Sequence, residues 1–481
     1  MSRLTDGAPA ATSIARRRFA FATLRRRGGA LGGTGDSGFA AGARVLSIGI
    51  ASTGLFTFAY LASASHLLGR GNYSRIALCW SIMYVILSVI YRPVEQLLSR
   101  TIADRLARGA GGRVLRTPAI IQGSFAACFL AAALALRSTI ERRLFDGSEA
   151  LYWVLVIGVL AYAASYFARG WLAGHRRFAL YGGLVFLEST SRFLLALAVM
   201  AGVGSGLGAV ASGMAVAPFV SLCVIPFAFS HLREGGSPLA EVLDAAGEGP
   251  AHGQLEEAVT DLSLRHGSYF AFSVVAIMLS EQTLMNAGVL VVAAGSGFDL
   301  VSGLTGFVFN VLLIVRAPLQ LFQAIQTSIL PHLTGLEARA SAAEFARAVR
   351  GTVLAITAFA AAVTLGLLAI GPQVMRALLG SHGYTYGRLG LALVGVGMGF
   401  HLASGTLNQA LLARGRARAA SLCWLLAAAA FVCFVALRTL ASEVERVEMG
   451  YCLAAMLLAA LLYAVYRRGF AGSHRSAPAR R

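Results

Sequence analysis

Apolar stretches of roughly 20 residues, the length a helix needs to cross the hydrocarbon core, recur twelve times along this 481-residue chain. They run at approximately 45–68, 76–98, 117–136, 150–170, 179–201, 207–230, 266–292, 300–330, 349–371, 388–412, 419–437 and 449–466. A soluble fold could not solvate so much apolar surface. With 57% hydrophobic and 13% charged residues and a mean hydropathy of +0.70, the surface must face lipid. The sequence therefore predicts an all-α polytopic membrane protein of about twelve transmembrane helices.

An even number of spans puts both termini on one side, and arginine placement decides which. All 41 basic residues are arginine, and the net charge is +19. Counting arginines at the ends of spans with the connection beside them, we find 29 in the N-terminus, the even connections and the tail, against 9 in the odd connections and 3 deep inside spans. Both termini are thus expected in the cytoplasm, the membrane being the inner (plasma) membrane. Residues 1–43 are polar, Arg- and Gly-rich and unlike a removed signal peptide. The basic residues flanking spans favour anionic membrane lipids, at about 1 kcal/mol each. They are scattered, not arranged in the stripe that nucleic acid would need, so no nucleic-acid partner is expected.

The longest connection holds Gly235, Gly236, Pro238, Gly247, Gly249 and Pro250 beside Glu241, Asp244, Glu248, Glu256, Glu257 and Asp261. It reads as a solvated linker. The expected division is a cytoplasmic Arg-rich tail (1–43), a six-helix lobe (44–231), a cytoplasmic linker (232–265), a second six-helix lobe (266–466) and a basic tail (467–481). An internal echo supports two related lobes. Arg92-Pro93-Val94-Glu95-Gln96-Leu97 in the second span matches Arg316-Ala317-Pro318-Leu319-Gln320-Leu321 in the eighth, each arginine 16 residues into its stretch. Six helices per half give both repeats the same orientation.

Charges inside spans are costly and usually face a wet cavity or a partner. The second span carries Arg92 and Glu95. The fifth carries Glu188 and Arg192 at i, i+4, hence on one face. Glu281 lies in the seventh and Arg316 in the eighth, with Gln320, Gln323 and Gln326 following at three-residue intervals. Arg316 has no acidic neighbour at helical spacing, so it needs a partner from another helix or a ligand. One reading makes the pairs self-neutralised packing devices. The other makes Arg92, Glu95, Glu188, Arg192, Glu281, Arg316, Gln320 and Gln323 the lining of a central cavity whose guanidiniums grip phosphate oxygens bidentately. In that reading Glu281 or Glu188 is available for coupling to H+ or Na+. His66 and His401 read as interfacial or interhelical hydrogen-bond formers; Asn286, Asn310, Asn408 and Gln409 read as cavity lining or interhelical contacts. The six cysteines (Cys79, Cys128, Cys223, Cys423, Cys433, Cys452) fall in apolar runs without ligand spacing and read as packing residues. No metal or cofactor is expected.

The order of several loose motifs along the spans resembles the multidrug/oligosaccharidyl-lipid/polysaccharide flippase superfamily, in its polysaccharide-biosynthesis branch with the O-antigen flippases. The carriers are Gly69-Arg70-Gly71-Asn72-Tyr73, Arg92-Pro93-Val94-Glu95, the stretch Arg316 to Leu336 with Leu330-Pro331-His332-Leu333, Leu378-Leu379-Gly380, and Asn408-Gln409-Ala410-Leu411-Leu412-Ala413-Arg414-Gly415. The resemblance covers most of 45–466. It implies two six-helix lobes around a V-shaped cavity and alternating access that flips an undecaprenyl-pyrophosphate-linked oligosaccharide for envelope polysaccharide synthesis. Polysaccharide assembly enzymes would be its partners, and the chain itself would not be an enzyme. The sequence departs from drug-extruding relatives, which carry an early acidic residue for cation coupling; Val45 to Leu68 has none. The two extra helices of the lipid II flippase branch are not expected after Arg468. Three other readings stay open: a cation-coupled small-molecule exporter, a membrane glycosyltransferase or polymerase on the same lipid carrier, and a scaffold that recruits envelope enzymes.

Overall fold

The computed structural model describes residues 48–108, 115–226, 253–316, 318–319, 322, 342–380, 383–437 and 442–473. Among them, eleven helices are long and apolar enough to cross a membrane. In chain order the helices are α1 (Ile48–Leu67), α2 (Arg70–Arg108), α3 (Arg116–Ala135), α4 (Glu149–Gly174), α5 (Phe178–Met200), α6 (Gly206–Ser221), α7 (Gly253–Gly295), α8 (Leu304–Arg316), α9 (Ala342–Leu379), α10 (Arg388–Ala413), α11 (Ala417–Ala436) and α12 (Glu443–Ser473). All twelve stretches are helical; α8 is the shorter one, and most of 317–341 lies outside the described residues.

Two boundaries differ from the sequence reading. The expected linker 232–265 is partly helical, because α7 begins at Gly253. Its acidic residues suggested a loop, yet Leu255, Ala258, Val259 and Leu262 keep helical spacing and Glu256 and Glu257 suit a helix N-terminus. The second difference is that α2 continues to Arg108, well past its apolar stretch. The expected tails, 1–43 and the end of 467–481, lie outside the described residues.

Local chemistry sets the starts of helices. At α4, the Ser148 hydroxyl accepts from the Leu151 amide at 3.4 Å, and Glu149 places a negative charge at the positive end of the helix dipole.

Packing separates two groups of helices. α2 packs on α4, α4 on α6 and α6 on α5; α9 packs on α10, α10 on α12, α12 on α11 and α11 on α7. α2 and α7 make the main contact between the groups. Burial follows position and not hydropathy. In the most apolar window of α9, mean hydropathy is 2.5 and only 11% of residues are buried, whereas in α4 the values are 1.8 and 67%. The greasiest helix is the outermost one, the arrangement a lipid solvent requires.

Candidate functional site

The lobes touch at one end and part at the other. At the closed end, where α1 finishes and α2 starts, Ser65 donates to the Leu379 carbonyl, and the Gly306 amide donates to Ser74 Oγ at 3.0 Å. Tyr73 donates to Asn310 Oδ1, Asn310 Nδ2 donates to the Tyr386 hydroxyl at 3.4 Å, and Tyr386 donates to the Gly380 carbonyl at 2.9 Å. Burial pushes the Tyr386 phenol up to about 12, so it remains a neutral donor. Glycine makes this approach possible: a Cβ on Gly306 would sit 2.8 Å from the Tyr73 ring, and one on Gly303, whose φ is +82°, 2.8 Å from Arg70 Cβ.

Toward the other end the helices diverge around a cavity of about 670 Å³. It is bounded by the start of α1 (Ile50, Thr53), the later turns of α2 (Arg92, Glu95), the end of α4 (Arg169), the start of α5 (Tyr181), and α7, α10 and α11. A narrower pocket of about 90 Å³ continues toward the closed end, walled by Trp80, Tyr84, Asn286 and Arg316. Tyr84, Glu281, Gln282 and Leu319 border both spaces.

On the first-lobe wall a single carboxylate gathers partners. Glu188 accepts from Tyr162 at 2.9 Å, Ser165 at 3.3 Å, Arg192 at 3.3 Å and Arg169 in a buried ion pair. Arg192 also donates to Tyr162 and packs 5.0 Å from the Trp80 ring. Arg169 stacks 4.6 Å from Tyr166. Neighbouring Glu95 accepts from Tyr181 at 2.7 Å. The α4–α2 contact that brings these groups together depends on Gly170, where a Cβ would meet the Glu95 carbonyl oxygen at 2.8 Å.

The second-lobe wall is sparser. Arg316, half-buried, donates to the Met285 carbonyl at 3.0 Å and to Asn286 Oδ1 at 2.7 Å, with its guanidinium 4.5 Å from the Phe309 ring. Among the described residues no carboxylate pairs with it. Glu281 borders both spaces without a hydrogen bond or ion pair among the described residues. His401 bonds the Tyr451 hydroxyl at 3.0 Å, the interhelical role expected of it, and its other ring nitrogen has no partner among the described residues. Asn408 accepts from Trp424 at 3.2 Å.

The structure thus brings Arg92, Glu95, Glu188, Glu281 and Arg316 to one interlobe space. Arg192 is fully buried behind Glu188 and does not border it. Gln320, Gln323 and Gln326 lie outside the described residues. Arg316 reaches the narrow pocket beside Tyr84, while Arg92 lies two turns farther along α2, in the wide cavity. Arg92 and Glu95 are not an isolated pair, since Glu281 from the other lobe borders the same cavity.

Arg169 is the residue that sequence reasoning missed. Lying at the end of the stretch 150–170, it is counted with the even connection beside it, but α4 continues to Gly174 and holds it 8% exposed at the cavity wall. The signal was present in Tyr162, Ser165, Tyr166 and Arg169, a polar stripe at three- and four-residue steps.

No protein-family profile and no curated protein matches the chain. Solved structures do. The inward-facing conformation of a multidrug resistance MATE family transporter of the MOP superfamily superposes with a TM-score of 0.65 at 14% identity, covering 90% of this chain and 99% of that one. The outward-facing conformation of a multidrug resistance MATE family transporter of that superfamily gives 0.57 at 14% identity, over 91% and 97%. A variant of a Vibrio cholerae MATE transporter gives 0.58 at 15% identity, over 91% and 98%. This chain has the fold of the MATE transporters of the MOP superfamily, two six-helix lobes around a central cleft.

Proposed function

We propose that the protein is an alternating-access transporter whose cargo is a lipid-linked oligosaccharide of the undecaprenyl-pyrophosphate type, moved across the inner membrane for cell-envelope polysaccharide synthesis. The observation that carries this reading is Arg316: a guanidinium at the narrow end of the cavity, held among the described residues by a carbonyl, an amide oxygen and a ring face and by no carboxylate. A cation left uncompensated at membrane depth is costly unless an anion joins it. Three guanidiniums and three carboxylates border the two spaces among the described residues, and Arg192 behind them makes the balance positive. The α1 residues at the cavity, among them Thr53 and Thr57, bring no acid. The better superposition on the inward-facing transporter than on the outward-facing one, together with the arginine asymmetry, supports an open end that faces the cytoplasm.

Arg316→Ala tests the reading: the variant stays abundant in the membrane yet fails to complement a flippase-deficient strain, which then accumulates lipid-linked glycan. Arg316→Lys recovers part of the function, because an ammonium keeps the charge and loses the fork geometry. Full complementation by Arg316→Ala would overturn the role given to this residue.

A second reading, a cation-coupled exporter of small molecules, is favoured by the multidrug resistance relatives and by the aromatic lining of Tyr84, Tyr162, Tyr166 and Trp424. Under it, Glu281 or Glu188 couples to H+ or Na+, and the protein confers drug efflux on a sensitised strain without rescuing glycan assembly.

A further inference from the structure

Three carboxylates border the interlobe space, and they differ in how they are held. Glu188 accepts four hydrogen bonds and Glu95 one. Glu281 accepts none among the described residues, although it has the most central place of the three. It alone borders both the wide cavity and the narrow pocket. On one side it shares the narrow pocket with Arg316, whose anchors, Met285 and Asn286, lie one turn along the same helix. On the other side it shares the wide cavity with Arg92 of the opposite lobe. Arg92 and Arg316 are also the two cavity guanidiniums with no hydrogen-bonded carboxylate among the described residues.

A half-exposed carboxylate between two such cations, tied to neither, is placed to neutralise both without being locked in position. An empty cavity holding Arg92 and Arg316 alone would carry two uncompensated charges at membrane depth, a cost that would oppose closing the lobes around nothing. A carboxylate from the second lobe lowers that cost and competes with any incoming anion for the same guanidiniums.

We infer that Glu281 is a built-in counter-anion, which takes the place of the cargo's phosphate oxygens between Arg92 and Arg316 in the empty carrier and is displaced when an oxyanion binds. The inference rests on the anionic-cargo reading above. It gives Glu281 a role distinct from carrying a coupling cation: its charge holds the cargo site in reserve and weakens binding enough for release.

The test uses the full-length protein in lipid nanodiscs and inorganic pyrophosphate as the probe, read by tryptophan fluorescence. Trp80 and Trp424 border the two spaces, so Trp153→Phe and Trp171→Phe give a background that reports the cavity. Glu281→Gln should bind pyrophosphate on the order of tenfold tighter than its parent, since a competing charge is gone while shape is kept. Glu281→Asp keeps the charge and should bind like the parent. Binding by Glu281→Gln that is equal to or weaker than the parent's overturns the counter-anion while leaving the anionic-cargo reading standing. If neither parent nor Glu281→Gln binds pyrophosphate at any concentration, the cargo reading falls and this inference falls with it. Measurable binding by Glu281→Gln alone would be the strongest support.

Discussion

The two walls of the cavity hold their charges in opposite ways. On the first lobe, Arg169, Glu188, Tyr162, Ser165 and Arg192 form one hydrogen-bonded network drawn from α4 and α5. On the second lobe, among the described residues, Arg316 leans on neutral groups and Glu281 on none. A network built around a buried carboxylate resists rearrangement, because breaking one member strands the others in low dielectric. A guanidinium held by neutral groups keeps its charge available for an anion. Under the proposed function, the first wall holds shape and the second exchanges partners.

The largest expected effect breaks the carboxylate-centred wall. Glu188→Gln leaves Arg169 and Arg192 buried without a carboxylate, which should cost roughly 3 to 5 kcal/mol and remove most of the protein from the membrane. The double change with Arg192→Gln should restore part of that abundance, as immunoblotting of membranes will show. Equal abundance of Glu188→Gln and the parent would mean that the network does not hold the lobe together.

A smaller effect is expected on the other wall. Asn286→Ala removes one of the two acceptors of Arg316 and should lower thermal stability by about 1 to 3 kcal/mol, with abundance largely kept. Since the guanidinium is then freer to reach a ligand, anion binding should not fall with stability. Parallel loss of both would make this wall as structural as the first.

The smallest effect concerns Tyr181→Phe, which deletes the hydroxyl donated to Glu95. A loss of about 0.5 to 1.5 kcal/mol is expected, read as a small downward shift in melting temperature. A larger loss would show that Glu95 belongs to the Glu188 network and does not stand beside it.

How much of this was legible in the sequence depended on whether the cause was local. The spans were readable because crossing hydrocarbon imposes a length on each segment separately. Glu188 and Arg192 were readable as neighbours from their spacing, but the partner that completes the pair, Arg169, comes from another helix, and no spacing within α5 reveals it. Arg316 was legible in the negative: lacking an acid on its own helix, it had to find partners elsewhere, and they are on α7. The setting back of Arg192 from the cavity was not legible, because it depends on how α5 is rotated against α4 and α6.

The seam of Ser65, Tyr73, Ser74, Asn310 and Tyr386 has an electrical consequence. A wide cleft filled with electrolyte from one side carries that side's potential inward, so the membrane voltage falls chiefly across the thin closed end. Each elementary charge crossing that drop gains or loses about 2.3 kcal/mol per 100 mV. The cavity residues themselves lie outside the drop. In the proposed alternating-access cycle the lobes reclose at the other end, the drop moves there, and whatever is bound has traversed the whole voltage without the protein's own charges travelling far. The net charge of the occupied cavity, and not the distance its arginines move, would then set how strongly membrane potential drives the cycle.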